Sequence, residues 1–155
     1  ALEYNQQYMD KNPNAAPTDF MKLAEIYVNK AKKDPAKKVE NIDKAIGVYA
    51  KLAEKYPTLK PFAKLQEGNT AFQNELDDKA IAAYTEVINE LEAKQCDEDE
   101  LSYLKTSYQY MGFIYTYDKQ DFDTAKPYWD KLLKLDPQNK LANDAYEKAG
   151  LKPGE

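Results

Sequence analysis

In the stretch FMKLAEIYVNKA, Phe20, Leu23, Ala24, Tyr27 and Ala31 recur three and four residues apart, with polar residues filling most gaps. That spacing paints one apolar stripe on a helix, predicted over about Thr18 to Lys33. Asp34 followed by Pro35 reads as an N-cap and a first-turn proline. They open a second predicted helix with the face Val39, Ile42, Ile46, Tyr49, Leu52 and Tyr56, ended by Pro57. A third, about Pro61 to Asn74, carries Phe62, Leu65 and Phe72, and a fourth, Asp78 to Lys94, carries Ala80, Ala83, Tyr84, Val87, Ile88 and Leu91. Asp97 with Glu100 three residues later is a capping-box pattern that starts a fifth helix running to about Tyr117. A sixth is predicted from Asp123 to Leu135. A seventh, Asn139 to Ala149, ends in Gly150, Leu151 and Pro153, the pattern of a left-handed C-cap. Short polar turns join them as hairpins.

Composition sharpens this picture. Five glycines and few β-branched runs, set against abundant Ala, Leu, Lys and Glu, make the chain all-α. At 155 residues it is one domain that buries roughly two thirds of its unfolded surface and needs no disulfide or metal to fold. All 22 basic residues are lysine and the net charge is −5, which argues against a nucleic-acid partner. No apolar run approaches the length of a membrane span, so the chain is expected to be soluble with no membrane insertion. The single cysteine, Cys96, cannot pair within the chain.

Chemistry has few candidates. There is no histidine, Ser102 and Ser107 have no base, and Cys96 sits among acids that raise its pKa. The acidic run from Asp97 to Glu100 lacks the glycine and distal glutamate of a calcium loop and reads as a helix start. The expectation is a chain without catalytic residues, metal or cofactor. The basic run KAKKDPAKK, Lys30 to Lys38, reads as a helix C-terminus that favours cations. Tyr103, Tyr110 and Tyr117 stand seven residues apart and form a second aromatic stripe on the fifth helix.

An internal repeat runs through these elements. Tyr108, Met111-Gly112, Tyr115, Ala125, Trp129 and Pro137 keep spacings that Phe20, Leu23, Ala24, Tyr27, Ala45, Tyr49 and Pro57 repeat. Gly68, Ala80 and Tyr84 form a third copy, with Ala71 and Glu92 at the tyrosine and proline places. Ala1, Asn5 and Pro13 keep the spacing of Ala45, Tyr49 and Pro57. The pattern resembles the tetratricopeptide repeat, and the resemblance covers nearly the whole chain. It implies an α-α superhelix, a solenoid of about seven to eight helices in antiparallel hairpins. The expected organisation is the second helix of a preceding half repeat over 1–13, repeats over 17–57, 60–94 and 98–137, and a capping helix over 139–149. The anchors Ala1, Ala45, Ala80 and Ala125 lie 44, 35 and 45 residues apart, so two hairpins are lengthened relative to the usual repeat of about 34. Gly112 falls at a close helix crossing, with Ala125 and Trp129 filling the seam from the opposing helix.

In arrays of this type the first helices line a concave groove. By resemblance, the groove positions are Thr18, Met21, Lys22, Glu25, Val28 and Asn29 in the first repeat; Phe62, Leu65, Gln66, Asn69, Phe72 and Gln73 in the second; and Thr106, Gln109, Tyr110, Phe113, Thr116 and Tyr117 in the third. Co-chaperone members hold a peptide's terminal carboxylates there with cations and asparagine. Here Met21 and Glu25 occupy clamp positions and only Lys22 is basic, so the expected groove is apolar and amide-lined. Phe62, Leu65, Phe72, Tyr110, Phe113 and Tyr117 would take apolar side chains, with Asn69, Gln73 and Gln109 bonding a peptide backbone. The implied function is a non-catalytic module binding a protein's peptide or helical segment. The alternative is a structural spacer or self-assembly segment of a larger repeat protein, self-associating through the exposed N-terminal half repeat. Lysine-rich arrays recur in bacterial envelope proteins, which points towards the envelope or periplasm. The sequence does not name the partner or fix the compartment.

Overall fold

The computed structural model describes residues 7, 9 and 11–154. Among them are seven α-helices and no strand: α1 (Pro17–Lys33), α2 (Lys38–Lys55), α3 (Lys60–Gln73), α4 (Asp77–Glu92), α5 (Glu98–Phe113), α6 (Phe122–Leu135) and α7 (Lys140–Ala149). Two compact units divide the chain, Ala1–Ala83 and Tyr84–Glu155, with the boundary inside α4. Among the described residues no helix is long and apolar enough to cross a membrane.

In the first unit α1 and α2 pack as a hairpin. Phe20, Leu23, Ala24 and Tyr27 meet Ala45, Val48, Tyr49 and Leu52, and Ala24 and Ala45 are fully buried where small side chains let the backbones approach. Burying each large side chain contributes about 1.5–3 kcal/mol, so this stripe dominates local stability. The buried Ala15 anchors the entry to α1, its carbonyl accepting from Tyr56 Oη at 2.7 Å and Lys55 Nζ at 3.2 Å. Met9 packs against the same core; Leu2, Tyr8 and most of the segment expected as a preceding half repeat lie outside the described residues. α3 packs on α2. The start of α4 is tied to α2 by Lys79 and Asp43 at 2.6 Å.

The second unit is built on α5 and α6. An ideal Cβ on Gly112 would stand 2.5 Å from Cε2 and 2.6 Å from Cδ2 of Trp129, so only glycine lets the indole lie flat on the helix backbone. Trp129 and Ala125 are fully buried. Tyr115 stacks on Tyr128, with centroids 6.1 Å apart and planes within 2°. α7 packs on both helices, with Phe122 edge-on to Tyr146 at 5.4 Å. The back half of α4 buries Tyr84, Val87, Ile88 and Leu91.

Terminal signals account for several boundaries. The capping box at α5 is reciprocal: Glu100 N–H donates to Asp97 Oδ1 at 2.8 Å, and Asp97 N–H to Glu100 Oε2 at 3.1 Å. Gly150 takes φ +70°, and Leu151 N–H bonds Tyr146 O while Gly150 N–H bonds Glu147 O, closing α7 in a Schellman motif.

Three expectations are corrected. Asp34-Pro35 does not open α2; Pro35–Lys37 form a 3₁₀ turn and α2 begins at Lys38, because a proline at the first position suits either helix type. Val39 is not on the core face and is 50% exposed, while Val48 and Asn41 are buried instead. The fifth helix does not run α-helically to Tyr117: Ile114–Asp118 form a π turn, closed by Lys119 N–H donating to Ile114 O at 2.9 Å. One extra residue in that turn re-aims the side chains after Phe113.

Candidate peptide-binding faces

In the first unit the α1 positions Thr18, Met21, Lys22, Glu25 and Asn29 are exposed, and Val28 packs against the α1–α2 core. On α3, Pro61 sets the first turn, and Ala63, Leu65, Glu67, Gly68, Thr70 and Ala71 lie buried. Phe62 is half-buried and rests on the α1–α2 core. Leu65 is only 5% exposed and belongs to the interior, so it presents no surface to a ligand. Gln66, Asn69 and Phe72 are half-exposed and Gln73 is exposed. Beside them lies a feature the sequence reading missed: Glu67 and Lys64 pair at 3.1 Å with side chains 8% and 17% exposed. Their three-residue spacing is that of an ordinary surface pair, so burial was the part periodicity did not carry.

In the second unit Tyr110 stacks on Tyr84 with centroids 5.6 Å apart, and Phe113 tilts against Tyr117 at 4.8 Å. Gln109 accepts from Asn139 Nδ2 at 3.3 Å, which leaves its own N–H₂ group to donate. Thr106 is half-exposed. Thr116 is a correction: it is buried, and its hydroxyl accepts from Trp129 Nε1 at 2.9 Å, holding the indole over Gly112. It lies four residues after Gly112, on the same helix face, so the seam was its natural place. Tyr117 lies beneath the Lys148 ammonium, 4.5 Å from its ring centroid, and lines a cavity of about 400 Å³.

Electrostatics elsewhere in this unit support packing more than chemistry. Glu92 accepts from Lys131 Nζ at 2.7 Å and from the Tyr108 hydroxyl. Burial opposes its charge, but these two donors hold its carboxyl below the usual range, while burial and the Glu92 contact push the Tyr108 hydroxyl well up. Burial, and after it Glu100, also raises the Cys96 thiol, whose Sγ donates to Leu91 O at 3.3 Å. A raised thiol is a poor nucleophile at neutral pH. Among the described residues no three of Cys, Asp and Glu gather as a metal site.

The nine residues expected to bind therefore divide by unit. Phe62, Asn69, Phe72 and Gln73 lie on one edge of α3, without Leu65, and Gln109, Tyr110, Phe113 and Tyr117 lie on α5 and the π turn that follows it. Lys148, which caps the Tyr117 ring from α7, had no signal in the periodicity of the first helices. A family model described as Tetratricopeptide repeat matches residues 20–58. Neither a curated protein nor a solved structure matches the chain.

Proposed function

We propose that this chain is a helical-repeat protein of the tetratricopeptide type, as the family match over residues 20–58 supports, and that it binds peptide or helical segments of a protein partner on two separate faces, one on α3 and one on α5. Tetratricopeptide repeats mediate protein–protein interaction and are typically non-catalytic. The observation that carries the reading is the combination of half-exposed rings and amides on each face. Phe62 and Phe72 stand with Asn69 and Gln73 on α3, and Tyr110, Phe113 and Tyr117 with Gln109 on α5. Rings supply area at low cost in side-chain entropy, and amides pair with the backbone groups that an extended or helical segment leaves open.

The test is selection of ligands from a displayed peptide library, followed by affinity measurement on variants. Phe72→Glu, Phe113→Glu and Asn69→Ala are expected to keep the helical circular dichroism of the wild type. Each Glu variant should weaken the peptide selected on its own face at least about tenfold, since a charge in a ring-lined contact must be desolvated on binding. Retention of the peptide by variants that fold would place binding on another face. A second reading, a spacer or self-assembly segment with no transferable ligand, draws on Phe62 resting on its own core and on the burial of Leu65. It requires that the Glu variants unfold and that no peptide is selected.

A further inference from the structure

The cavity beside Tyr117 is bounded by the rings of Tyr117 and Phe122, by the Gln120 side chain in the turn, and by Ala145 and Ala149 one turn apart on α7. At about 400 Å³ it falls within the range of small-ligand sites, roughly 300–1,000 Å³, and holds one or two residues of a peptide. The two alanines leave the room; any larger side chain there would fill it. Lys148 is the only charged residue of this lining, and its ammonium makes no ion pair among the described residues: it sits over the Tyr117 ring. An ammonium has three donors, so those turned away from the ring remain for a ligand. Gln120, at φ +55°, also lines the cavity.

We infer that this cavity takes an apolar side chain of a partner segment whose neighbouring residue is acidic, the carboxylate held by Lys148 and Gln120. The choice of occupant rests on charge complementarity. An apolar slot whose single formal charge is positive favours a ligand that is apolar with one negative charge beside it. The inference deepens the proposed function, on which it rests, by naming the chemistry of the partner at the Tyr117 end of the α5 face.

The experiment is an NMR titration of the full chain with acetyl-Glu-Leu-Phe-Glu-amide and with its counterpart carrying Gln in place of Glu. The acidic peptide is expected to shift the amides of Tyr117, Gln120, Phe122, Ala145 and Lys148 saturably, and to bind about threefold more tightly than the neutral one, as suits one partly exposed ion pair. Lys148→Gln should erase that preference. Ala149→Leu, at an exposed helical position that accepts a good helix former, should fill the slot and weaken both peptides about tenfold while leaving the circular dichroism unchanged. Equal affinity for the two peptides, undiminished binding to Ala149→Leu, or an absence of shifts at these amides overturns the inference. Shifts confined to Phe62, Asn69 and Phe72 would overturn it while leaving binding on the α3 face standing. Failure of the displayed library to yield any ligand would count against the broader reading.

Discussion

Replacing Gly112 by alanine adds one methyl group where the Trp129 indole already lies. The new Cβ would stand 2.5, 2.6 and 2.9 Å from Cε2, Cδ2 and Cε3. Carbon atoms in contact prefer about 3.5–4.0 Å, so the ring must retreat by about 1 Å. It has nowhere free to go, because Trp129 is fully buried and its Nε1 donates to Thr116 at 2.9 Å. Overpacking of this kind costs about 1–3 kcal/mol, and stretching the buried hydrogen bond adds about 1–3 kcal/mol where the donor is left unsatisfied. Against this, alanine in a helix interior gains about 1 kcal/mol over glycine. The net expectation is a loss of about 2–4 kcal/mol, or a melting point lower by about 5–15 °C for a chain of this size. Gly47→Ala supplies the control, since a Cβ there meets nothing within 4 Å and that glycine sits inside α2. It is expected to stabilise by about 0.5–1 kcal/mol. Urea denaturation followed by the fluorescence of Trp129, the chain's one tryptophan, reads the second unit directly, and circular dichroism reads both. Combining Gly112→Ala with Trp129→Leu should recover part of the loss, because a smaller side chain vacates the contested space. If Gly112→Ala were as stable as the wild type, the indole would not lie on that backbone and the close crossing would be refuted.

Trp129→Ala should cost about 3–5 kcal/mol, as full burial of a large ring implies, and thermal melts will show it. Thr116→Val should destabilise by about 1–3 kcal/mol through the orphaned indole donor, visible as a lower urea midpoint. Tyr108 and Tyr84 hold their protons more tightly folded than unfolded, so their contribution is fully present below about pH 10 and lost as the pH rises further; melting curves from pH 8 to 11 should fall most steeply at the alkaline end, and less so in Tyr108→Phe. Alkylation of Cys96 by iodoacetamide should rise with a midpoint above that of a free thiol, and an earlier midpoint would show that burial and Glu100 do not act on it.

Features whose causes are local in the chain were legible from the sequence. The capping box of Asp97 and Glu100 and the left-handed Gly150 each depend on residues within one turn, and both are found as expected. Gly112 was legible for another reason: the repeat spacing supplied its distant partner, Trp129, which no local pattern contains. The π turn was not legible, because it is a shift of backbone hydrogen-bond register that leaves no mark on the alternation of apolar and polar residues. Asp34-Pro35 misled because a cap and a first-turn proline specify a helix start without choosing between a 3₁₀ and an α turn. Val39 misled because three-residue spacing from Ile42 puts it near the stripe, and near the helix start only packing decides which side is covered.

The binding faces were harder to read, and Tyr117 illustrates why. Periodicity assigns a residue to a face of its own helix, so it placed Tyr117 in line with Tyr103 and Tyr110. It is silent about what another element brings to that face. In the folded chain the π turn carries Tyr117 against α7, where Lys148 covers its ring and two alanines leave space beside it. The chemistry at that end of α5 is therefore set by a lysine that lies thirty-one residues later in the sequence. The same limit explains Leu65 and Thr116, both given to the ligand by register and both taken by the interior. A residue's period says which way it leaves the helix, and only the neighbouring helix decides whether it meets a core or a partner. Groove positions read from a repeat consensus consequently need the hairpin's own crossing geometry. Here that crossing is fixed by Gly112 and Trp129, so a variant that shifts the indole should disturb Thr116 and then the Tyr117 cavity, coupling the stability of the seam to whatever binds beside Lys148.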